Sequence, residues 1–528
     1  MSEFNRPAEE PHLPDVVQAI ENSETPFLAL LHGTVLGGGF EIAMGCAFRI
    51  ASPGTRFGLP EVNMGLVPGA GGTQRAPRLF GWEASIDMAC SAKLLDAETA
   101  LSLGAIDAIS DDAFNMALAW DQSCPQPVSQ RAAPAIEAEW FQEKRRTLVT
   151  RARGQKAPVL NFDTLQWALN SFVDSQPRER KLHLELRQSD ESKALRHACF
   201  AERQVAKPNA IHGGTAAEIA HVAVVGGGLM GAGIATTFLL AGCSVCLIEQ
   251  NEGAAKAGSD RVLSLLEGAQ KRGKISAEKF SEFSSKLTAT ANYSDAANVD
   301  LAIEAVFEDL SDKQQVFEKL AAVVGETALL ATNTSYLDPR EIFEGVANPE
   351  RLIGLHFFSP AHIMKLLEVV QLPSTSADTL ATAFALAKRL KKVAVLSDIC
   401  DGIIGNRMLA AYRREAEYLL ADGATPTQID AAMRAFGMAM GPFEAQDMSG
   451  LQIAEANRRR QDATRDINER YVTISDRLCG AGRFGQRSGK GWYDYPDGPK
   501  SKTESQAVLD VSMSYARDQG IERCEFST

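Results

Sequence analysis

The stretch "HVAVVGGGLMGAGIATTFLLAGCSVCLIEQ" contains a glycine pattern that could bind a dinucleotide. Gly226, Gly228 and Gly231 form GxGxxG directly after an apolar run, and a second apolar run ends at Glu249. Such glycines let the backbone turn tightly and approach a pyrophosphate at a helix N-terminus. Glu249 would accept a hydrogen bond from a ribose 2′-hydroxyl and repel a 2′-phosphate, so the pattern predicts NAD rather than NADP.

A histidine and a carboxylate follow further along, in "LIGLHFFSPAHIMKLLEVV". His356 comes after one apolar strand, and Glu368 lies within another, so the connection can bring the two side chains together. A carboxylate hydrogen-bonded to imidazole fixes its tautomer and favours its protonated form. The pair therefore predicts a base that takes an alcohol proton while hydride leaves the neighbouring carbon.

A third candidate lies near the start, in "LHGTVLGGGFE", where three glycines precede Glu41. Three consecutive glycines followed by a carboxylate are typical of an active site. Such a site needs a supporting wall, and only about thirty residues precede it.

Composition indicates what kind of protein must position these residues. A chain of 528 residues, 45% hydrophobic and 23% charged, predicts about three globular domains. The net charge of −13, without a dense basic block, argues against nucleic-acid binding. The sequence shows neither a signal peptide nor an apolar stretch approaching the ~20 residues of a membrane span, which predicts a cytoplasmic protein. The nine cysteines include one CxxC spacing, Cys243 and Cys246, and are otherwise scattered, which predicts neither a metal site nor a disulfide framework.

The pattern of elements changes several times along the chain. Short apolar strands alternate with helices at first, a charged helix-prone stretch follows, and the alternation resumes at His221. The later stretch "NRMLAAYRREAEYLLADGA" has helical spacing, with Gly423 as its stop. The predicted boundaries are an α/β region 1–110, a helical region and linker 111–216, a dinucleotide domain 217–398, a helical domain 399–495 and a tail 496–528.

Several motifs in order resemble one family. "GGGLMG", "DLAIEAVFEDL", "ATNTS", "GLHFFSPAH", "MKLLEVV", "GNRML" and "FGMAMGPF" are similar to 3-hydroxyacyl-CoA dehydrogenase, specifically to the dehydrogenase part of the multifunctional fatty-acid oxidation enzyme. The resemblance covers residues 217–495 and implies a Rossmann NAD-binding domain followed by a helical domain. It implies NAD-dependent oxidation of an L-3-hydroxyacyl-CoA thioester in β-oxidation.

The resemblance also implies roles for individual residues. His356 would be the catalytic base and Glu368 its partner. Ser335 and Asn406 would hold the substrate oxygens near the base. Glu308 and Lys313 fall where the family contacts NAD.

The opening stretch resembles the enoyl-CoA hydratase, or crotonase, part of the same enzyme. "LHGTVLGGGFEIAMGC" and "FGLPEVNMGLVPGAGGTQRAPRL" carry this resemblance, which covers residues 1 to about 207. It implies a partial crotonase-like fold in which Glu41 and Glu61 hold one water, one removing its proton and the other protonating the substrate α-carbon. Gly38 would supply a backbone N–H to the oxyanion of the thioester.

Both ends look short against this family. Met1–Phe4 resembles the tail of a family pattern whose upstream segment carries the second oxyanion donor, and no second helical repeat follows "GIERCEFST". We therefore expect an active dehydrogenase beside an impaired hydratase. The alternatives are a working bifunctional enzyme and a non-catalytic NAD- or CoA-binding subunit. We also expect a homodimer that buries an apolar face of the helical domain. A thiolase subunit is left open as a partner, and the acyl chain length is not predicted.

Overall fold

The computed structural model describes residues 9–121, 123–462 and 465–526. The chain divides into two compact units, Met1–Arg203 (unit 1) and Gln204–Thr528 (unit 2), each described below by itself. The segment 1–8, with the family tail predicted at Met1–Phe4, lies outside the described residues.

Unit 1 consists of short strands and helices, as its alternating apolar runs predict. Its strands are β1 Leu28–Leu31, β2 Thr34–Leu36, β3 Phe48–Ala51, β4 Arg56–Gly58, β5 Leu95–Asp96 and β6 Ala108–Ile109. Its helices are α1 Leu13–Glu21, α2 Gly38–Gly45, α3 Gly72–Phe80, α4 Trp82–Ser91, α5 Ala97–Ser102, α6 Ala113–Leu118, α7 Ala138–Ala152, α8 Ala157–Gln166, α9 Phe172–Gln188 and α10 Asp190–Val205.

The strands of unit 1 form two small sheets. One has the parallel order β1-β3-β6, and the other has the order β2-β4-β5. The apolar side of α2 packs beneath them, where Phe40 and Met44 join Phe57, Phe80 and Met88 in a buried core. Because α2 begins two residues after β2, this core fixes where the residues that open the helix point.

Unit 2 begins with a larger α/β region and ends with helices. Its strands are β7 His221–Val225, β8 Ser244–Ile248, β9 Leu287–Thr290, β10 Leu301–Glu304, β11 Leu329–Thr332, β12 Leu352–Phe357, β13 Leu366–Val370, β14 Val393–Ser397, β15 Tyr493–Asp494 and β16 Thr503–Glu504. Its helices are α11 Leu229–Leu240, α12 Glu252–Lys271, α13 Ala277–Ser285, α14 Leu310–Ala321, α15 Pro339–Ile342, α16 Ala377–Arg389, α17 Gly405–Asp422, α18 Pro426–Phe436, α19 Pro442–Ser449, α20 Leu451–Gln461, α21 Ile474–Gly480 and α22 Gln506–Asp518.

An eight-stranded sheet organises the first part of unit 2. Its order is β14-β13-β12-β11-β10-β7-β8-β9, and every pair is parallel except β12 with β13. Alternate residues of β7 serve opposite faces: Val222 and Val224 join one buried core, whereas Ala223 and Val225 join the other. The chain runs outward from β7 to β9 and then returns to β10 beside β7. This reversal creates a topological switch point at the carboxyl end of β7, and the predicted Rossmann fold is confirmed.

The remaining helices of unit 2 surround a separate core. Helix α17 ends at Asp422, and Gly423 follows with φ +132°, as the predicted stop requires. The core includes Leu420, Phe443 and Trp492, so the predicted helical domain is confirmed. The segment 496–528 contains α22, and Val508 from that helix is fully buried in the same core.

The described residues contain neither a membrane-spanning helix nor a cluster of metal ligands. In ranges 9–121, 123–462 and 465–526, no helix is long and apolar enough to cross a membrane. Over the same described ranges, no group of three or more His, Cys, Asp or Glu side chains could hold a metal ion.

Candidate active sites

The glycine turn of unit 2 lies at the switch point of the sheet. Gly226 has φ +98°, and a Cβ there would lie 2.8 Å from the Ala305 carbonyl oxygen. A Cβ on Gly231 would lie 1.7 Å from the Gly226 carbonyl oxygen, so glycine is required for the turn to pack against α11. Gly228 is the N-cap of that helix. The turn and the helix N-terminus therefore form a cradle that fits a pyrophosphate.

Glu249 follows β8 directly and reaches the same turn. One carboxylate oxygen accepts a hydrogen bond of 2.6 Å from the Gly227 N–H. The other accepts a bond of 3.1 Å from the Gln250 N–H. Glu249 therefore fixes the glycine turn to the end of β8, a contact that the sequence did not predict.

His356 and Glu368 face each other across the one antiparallel pair of the sheet. The register pairs them directly, and His356 Nδ1 lies 2.6 Å from Glu368 Oε2. Glu368 is fully buried, and its Oε1 accepts hydrogen bonds from the N–H groups of Ile404 (3.1 Å) and Gly405 (2.7 Å), at the start of α17. Since Nδ1 faces a carboxylate, it carries a proton, and Nε2 is left to accept one.

The loop that follows β11 brings Ser335 to this imidazole. Ser335 Oγ lies 3.1 Å from His356 Nε2. Asn333, two residues earlier, accepts a 2.7 Å hydrogen bond from the Phe357 N–H and so ties the loop to β12. Asn406, in the first turn of α17, lines a cavity of about 460 Å³ together with Tyr336. The structure thus joins Ser335 to the histidine pair and places Asn406 on a cavity wall beside the Ser335 loop.

Glu308 holds the same loop through hydrogen bonds. It accepts hydrogen bonds from the Thr334 hydroxyl (2.7 Å) and from the N–H groups of Ser335 (2.8 Å) and Tyr336 (3.0 Å). Burial alone would raise the pKa of Glu308, but Lys313 and these donors outweigh it and lower the pKa. Glu308 is therefore ionised, and its hydrogen bonds hold the loop that carries Ser335.

Lys313, on α14, is 1% exposed and contacts two carboxylates. Its Nζ lies 2.6 Å from Glu304 and 3.2 Å from Glu308. Glu304, the last residue of β10, also accepts a 2.8 Å bond from the Thr332 hydroxyl. Sequence reasoning missed Glu304. Its signal was an acidic residue at the end of an apolar strand, the same signal that identified Glu249.

In unit 1, Glu41 and Glu61 are both buried. Glu41 Oε1 accepts hydrogen bonds from the N–H groups of Ala70 (2.7 Å) and Gly72 (2.9 Å), and burial raises the pKa of this carboxyl. Glu61 belongs to the short 3-10 helix Pro60–Met64, and its Oε2 is buried without a hydrogen-bond partner among the described residues. Burial and then the charge of Glu41 raise the pKa of Glu61 to about 8.

The glycines before Glu41 are closely packed. Gly38 opens α2, and a Cβ on it would lie 2.9 Å from a methyl carbon of Leu13. A Cβ on Gly37 would lie 2.7 Å from Glu61 Oε1. The glycine run therefore allows both α1 and the carboxyl of Glu61 to approach the start of α2.

A third carboxyl, which sequence reasoning missed, completes the buried cluster of unit 1. Glu179 on α9 accepts hydrogen bonds from the N–H groups of Gly71 (2.7 Å) and Thr73 (2.9 Å) and from the Thr73 hydroxyl. Burial and then the charge of Glu41 raise its pKa to about 8. No local signal marked it, because it lies in a charged, helix-prone stretch far along the chain from Glu41.

Comparisons with protein families divide the chain in the same order. Residues 221–400 match the NAD binding domain of 3-hydroxyacyl-CoA dehydrogenase, and residues 402–495 match its C-terminal domain. Residues 7–125 match the enoyl-CoA hydratase/isomerase family.

Similar proteins cover nearly the whole chain. A peroxisomal bifunctional enzyme from Danio rerio is 37% identical over 550 residues, which span 98% of this chain and 75% of that protein. The peroxisomal bifunctional enzyme of Homo sapiens is 37% identical and spans 97% of this chain and 76% of its own length. Among solved structures, FadB2 of M. tuberculosis is 31% identical with a TM-score of 0.51, and covers 53% of this chain and 100% of its own.

Proposed function

The chain belongs to the multifunctional enzymes of fatty-acid β-oxidation, and on that premise we propose which residues carry out its reactions. It combines an NAD-dependent 3-hydroxyacyl-CoA dehydrogenase with an enoyl-CoA hydratase domain. Its substrate class is the acyl-CoA thioester. The roles of single residues, the strength of hydration, the partners and the compartment are our proposals.

In the dehydrogenase, His356 is the base. Its Nε2 takes the proton of the substrate 3-hydroxyl, and Glu368 stabilises the imidazolium that forms. Ser335, 3.1 Å from the same nitrogen, and Asn406 hold the substrate oxygens. Bound NAD would supply the acceptor for the hydride that leaves C3. The alcohol thereby loses one hydride and one proton and becomes the 3-oxo group.

The cofactor is held by the switch-point cradle. Gly226, Gly228 and Gly231 give the pyrophosphate access to backbone amides, and Glu249 meets the ribose. Glu308, whose carboxylate is partly exposed, would contact NAD. Lys313 supports Glu308 from its buried side, because the lysine amino group already has two carboxylate partners.

The observation that carries this proposal is the line of contacts from Glu368 through His356 to Ser335. The test is NADH formation from L-3-hydroxybutyryl-CoA. We expect Ser335→Ala to lose about 10-fold to 100-fold in kcat/KM, because a hydrogen bond to a charged group contributes ~1.5–3 kcal/mol. Ser264→Ala, an exposed serine on α12, is the matched control. Equal activity of the two variants, or no NADH from the wild-type chain, would contradict the proposal.

A second activity, hydration of a 2-enoyl-CoA, is favoured by the buried pair in unit 1. Glu41 takes a proton from water, and hydroxide adds to the β-carbon. Glu61, protonated at neutral pH because its pKa is about 8, gives its proton to the α-carbon. The Gly38 N–H donates a hydrogen bond to the thioester oxyanion. Glu61→Gln should abolish hydration of crotonyl-CoA without changing NADH formation.

The predicted impairment of hydration is tested by the same substrate. Removing one oxyanion donor costs ~10²–10³ in rate. If unit 1 provides only the Gly38 donor, crotonyl-CoA is hydrated ~10²–10³-fold more slowly than by a relative with both donors. A rate within tenfold of that relative would exclude the impairment and establish the bifunctional alternative.

Self-association is proposed from apolar side chains on four successive helices. Met408 on α17, Phe436 on α18, Met448 on α19 and Ile453 on α20 are exposed, Phe436 by 81%. A two-fold dimer is the commonest way to bury such side chains. Light scattering should show a dimer that Phe436→Asp dissociates. Phe114→Asp, at an exposed phenylalanine of α6, is the control, and a wild-type monomer at micromolar concentration would contradict the dimer.

The compartment and a thiolase partner stay predictions. The sequence predicted a cytoplasmic protein, whereas several relatives are named peroxisomal or glyoxysomal. Cell fractionation would decide between the two compartments. Co-purification of a thiolase with the full chain would establish that partner.

A further inference from the structure

Four successive backbone amides of unit 1 are divided between two buried carboxyls. The N–H groups of Ala70 and Gly72 donate to Glu41. Those of Gly71 and Thr73 donate to Glu179. The segment 70–73 is thus held from two sides, by α2 through Glu41 and by α9 through Glu179.

The Glu179 side of this arrangement is anchored further. The Thr73 hydroxyl donates to Glu179 and accepts a 2.9 Å hydrogen bond from the Gln74 side-chain amide. That amide also donates to the Thr164 carbonyl on α8, at 2.9 Å. Glu179 itself is 0% exposed. Three donors therefore converge on one carboxyl that has no part in the water chemistry of Glu41 and Glu61.

From this geometry we propose that Glu179 is a positioning residue for hydration: it fixes segment 70–73, whose other two amides orient Glu41. This inference rests on the proposed hydratase function. Without Glu179, the amides of Gly71 and Thr73 would lose their acceptor, and the segment could move away from Glu41. Glu41 would then no longer be held in place to accept the proton of water.

The charges around Glu179 give the proposal a readout that a purely structural role would lack. Glu41 and Glu61 are its acidic neighbours, and the charge of Glu179 raises the pKa of Glu61. The nearby cations are Arg180, which interacts with Glu41 and Glu179, and Arg75, which is ion-paired with Glu21 at 2.7 Å. Glu179, with a pKa of about 8, gains its charge as the pH rises through that value, so removing this charge should make Glu61 lose its proton at lower pH.

The substitution Glu179→Gln tests the role without changing side-chain size. Glutamine offers one acceptor oxygen, whereas the three donors occupy both oxygens of Glu179, so at least one donor is left unpaired. Glu185→Gln, on the same helix and exposed, is the matched control. NADH formation, which depends on unit 2, should be normal in both variants and reports that unit 2 is folded.

For hydration of crotonyl-CoA by the full chain, we expect Glu179→Gln to lower kcat by about 10-fold or more, the effect of about 1.4 kcal/mol. KM should change less, and the alkaline limb of the rate profile should move to lower pH. Glu185→Gln should match the wild-type chain in all three. A kcat equal to that of the control, or a lowered kcat with an unmoved alkaline limb, would overturn the positioning role.

Amide hydrogen exchange tests the same proposal independently of hydration. In Glu179→Gln, exchange at Gly71 and Thr73 should become about 10-fold faster or more, because the N–H groups lose a buried acceptor. Unchanged exchange would overturn the proposal, even if hydration is too slow to measure. Normal hydration in Glu61→Gln would instead refute the hydratase proposal, whatever Glu179→Gln does to exchange.

Discussion

Carboxylates around the dehydrogenase site have positively charged or imidazole partners, whereas those of the hydratase site are held mainly by neutral amides. Glu368 is paired with His356, and Glu304 and Glu308 share Lys313. Opposite charge offsets the loss of water at a buried carboxylate, as at Glu308, where Lys313 and the loop donors lower the pKa.

The hydratase site shows the consequence of the other arrangement. Glu61 and Glu179 have pKa values raised to about 8, first by burial and then by the charge of Glu41. The folded-state pKa of Glu61 lies above its ordinary value of 4.5, so protonated Glu61 stabilises unit 1 fully below about pH 4.5. That contribution is lost as the pH rises through about 8. The two sites should therefore differ in how strongly they depend on pH and on single charges.

The largest effect should follow from replacing Lys313, the cation that Glu304 and Glu308 share. Lys313→Met leaves Glu304 as an uncompensated buried charge, which costs about 3–5 kcal/mol of stability. Urea should abolish NADH formation at a much lower concentration than in the wild-type chain. Lys256→Met, which breaks an exposed pair with Asp260, should cost less than about 1 kcal/mol. Similar urea concentrations at half-loss of NADH formation in the two variants would refute the idea that Lys313 compensates buried charge.

The next effect is the pH dependence of hydration. If Glu61 supplies the α-carbon proton as proposed, it must be protonated, so the hydration rate should fall as the pH rises through about 8, approaching tenfold per pH unit above it. The initial rate of crotonyl-CoA hydration between pH 6 and pH 10 measures this. A rate that stays level to pH 10 would remove Glu61 from the role of proton donor.

A smaller effect is expected at the cofactor. Glu249→Gln should weaken the binding of NAD by about 10-fold, because a charge-assisted hydrogen bond to the ribose becomes a neutral one. The preference for NAD over NADP should narrow, since the repulsion of a 2′-phosphate is lost. The measurement is KM for both cofactors, with Glu252→Gln at the start of α12 as the control. If the cofactor preference is unchanged, Glu249 serves only to hold the Gly227 N–H.

The dehydrogenase site was largely predictable because its signals are local. The glycine turn needs Gly226 and Gly231 at fixed spacing, and an acid at a strand end is the predicted partner of the ribose. His356 and Glu368 lie on adjacent strands, so their register makes them neighbours. Helix α17 was predictable from its apolar spacing and its glycine stop.

The hydratase cluster could be predicted only in part. Glu41 and Glu61 were predicted from family resemblance, but nothing near Glu179 indicates that its helix packs against segment 70–73. That contact depends on how α9 folds back over residues more than 100 positions earlier, which no local pattern encodes. Glu304 was missed for a different reason, since its partner Lys313 was expected at the cofactor.

The central claim is that His356 is the base of a dehydrogenase separate from the carboxyls of unit 1. The most direct measurement is steady-state NADH formation from L-3-hydroxybutyryl-CoA by four chains: wild type, His356→Ala, the exposed-histidine control His221→Ala and Glu61→Gln. We predict that His356→Ala lowers kcat by about 10²–10⁴, while the other three agree within twofold. Near-normal NADH formation by His356→Ala, with NAD bound as tightly as in the wild-type chain, would contradict the account.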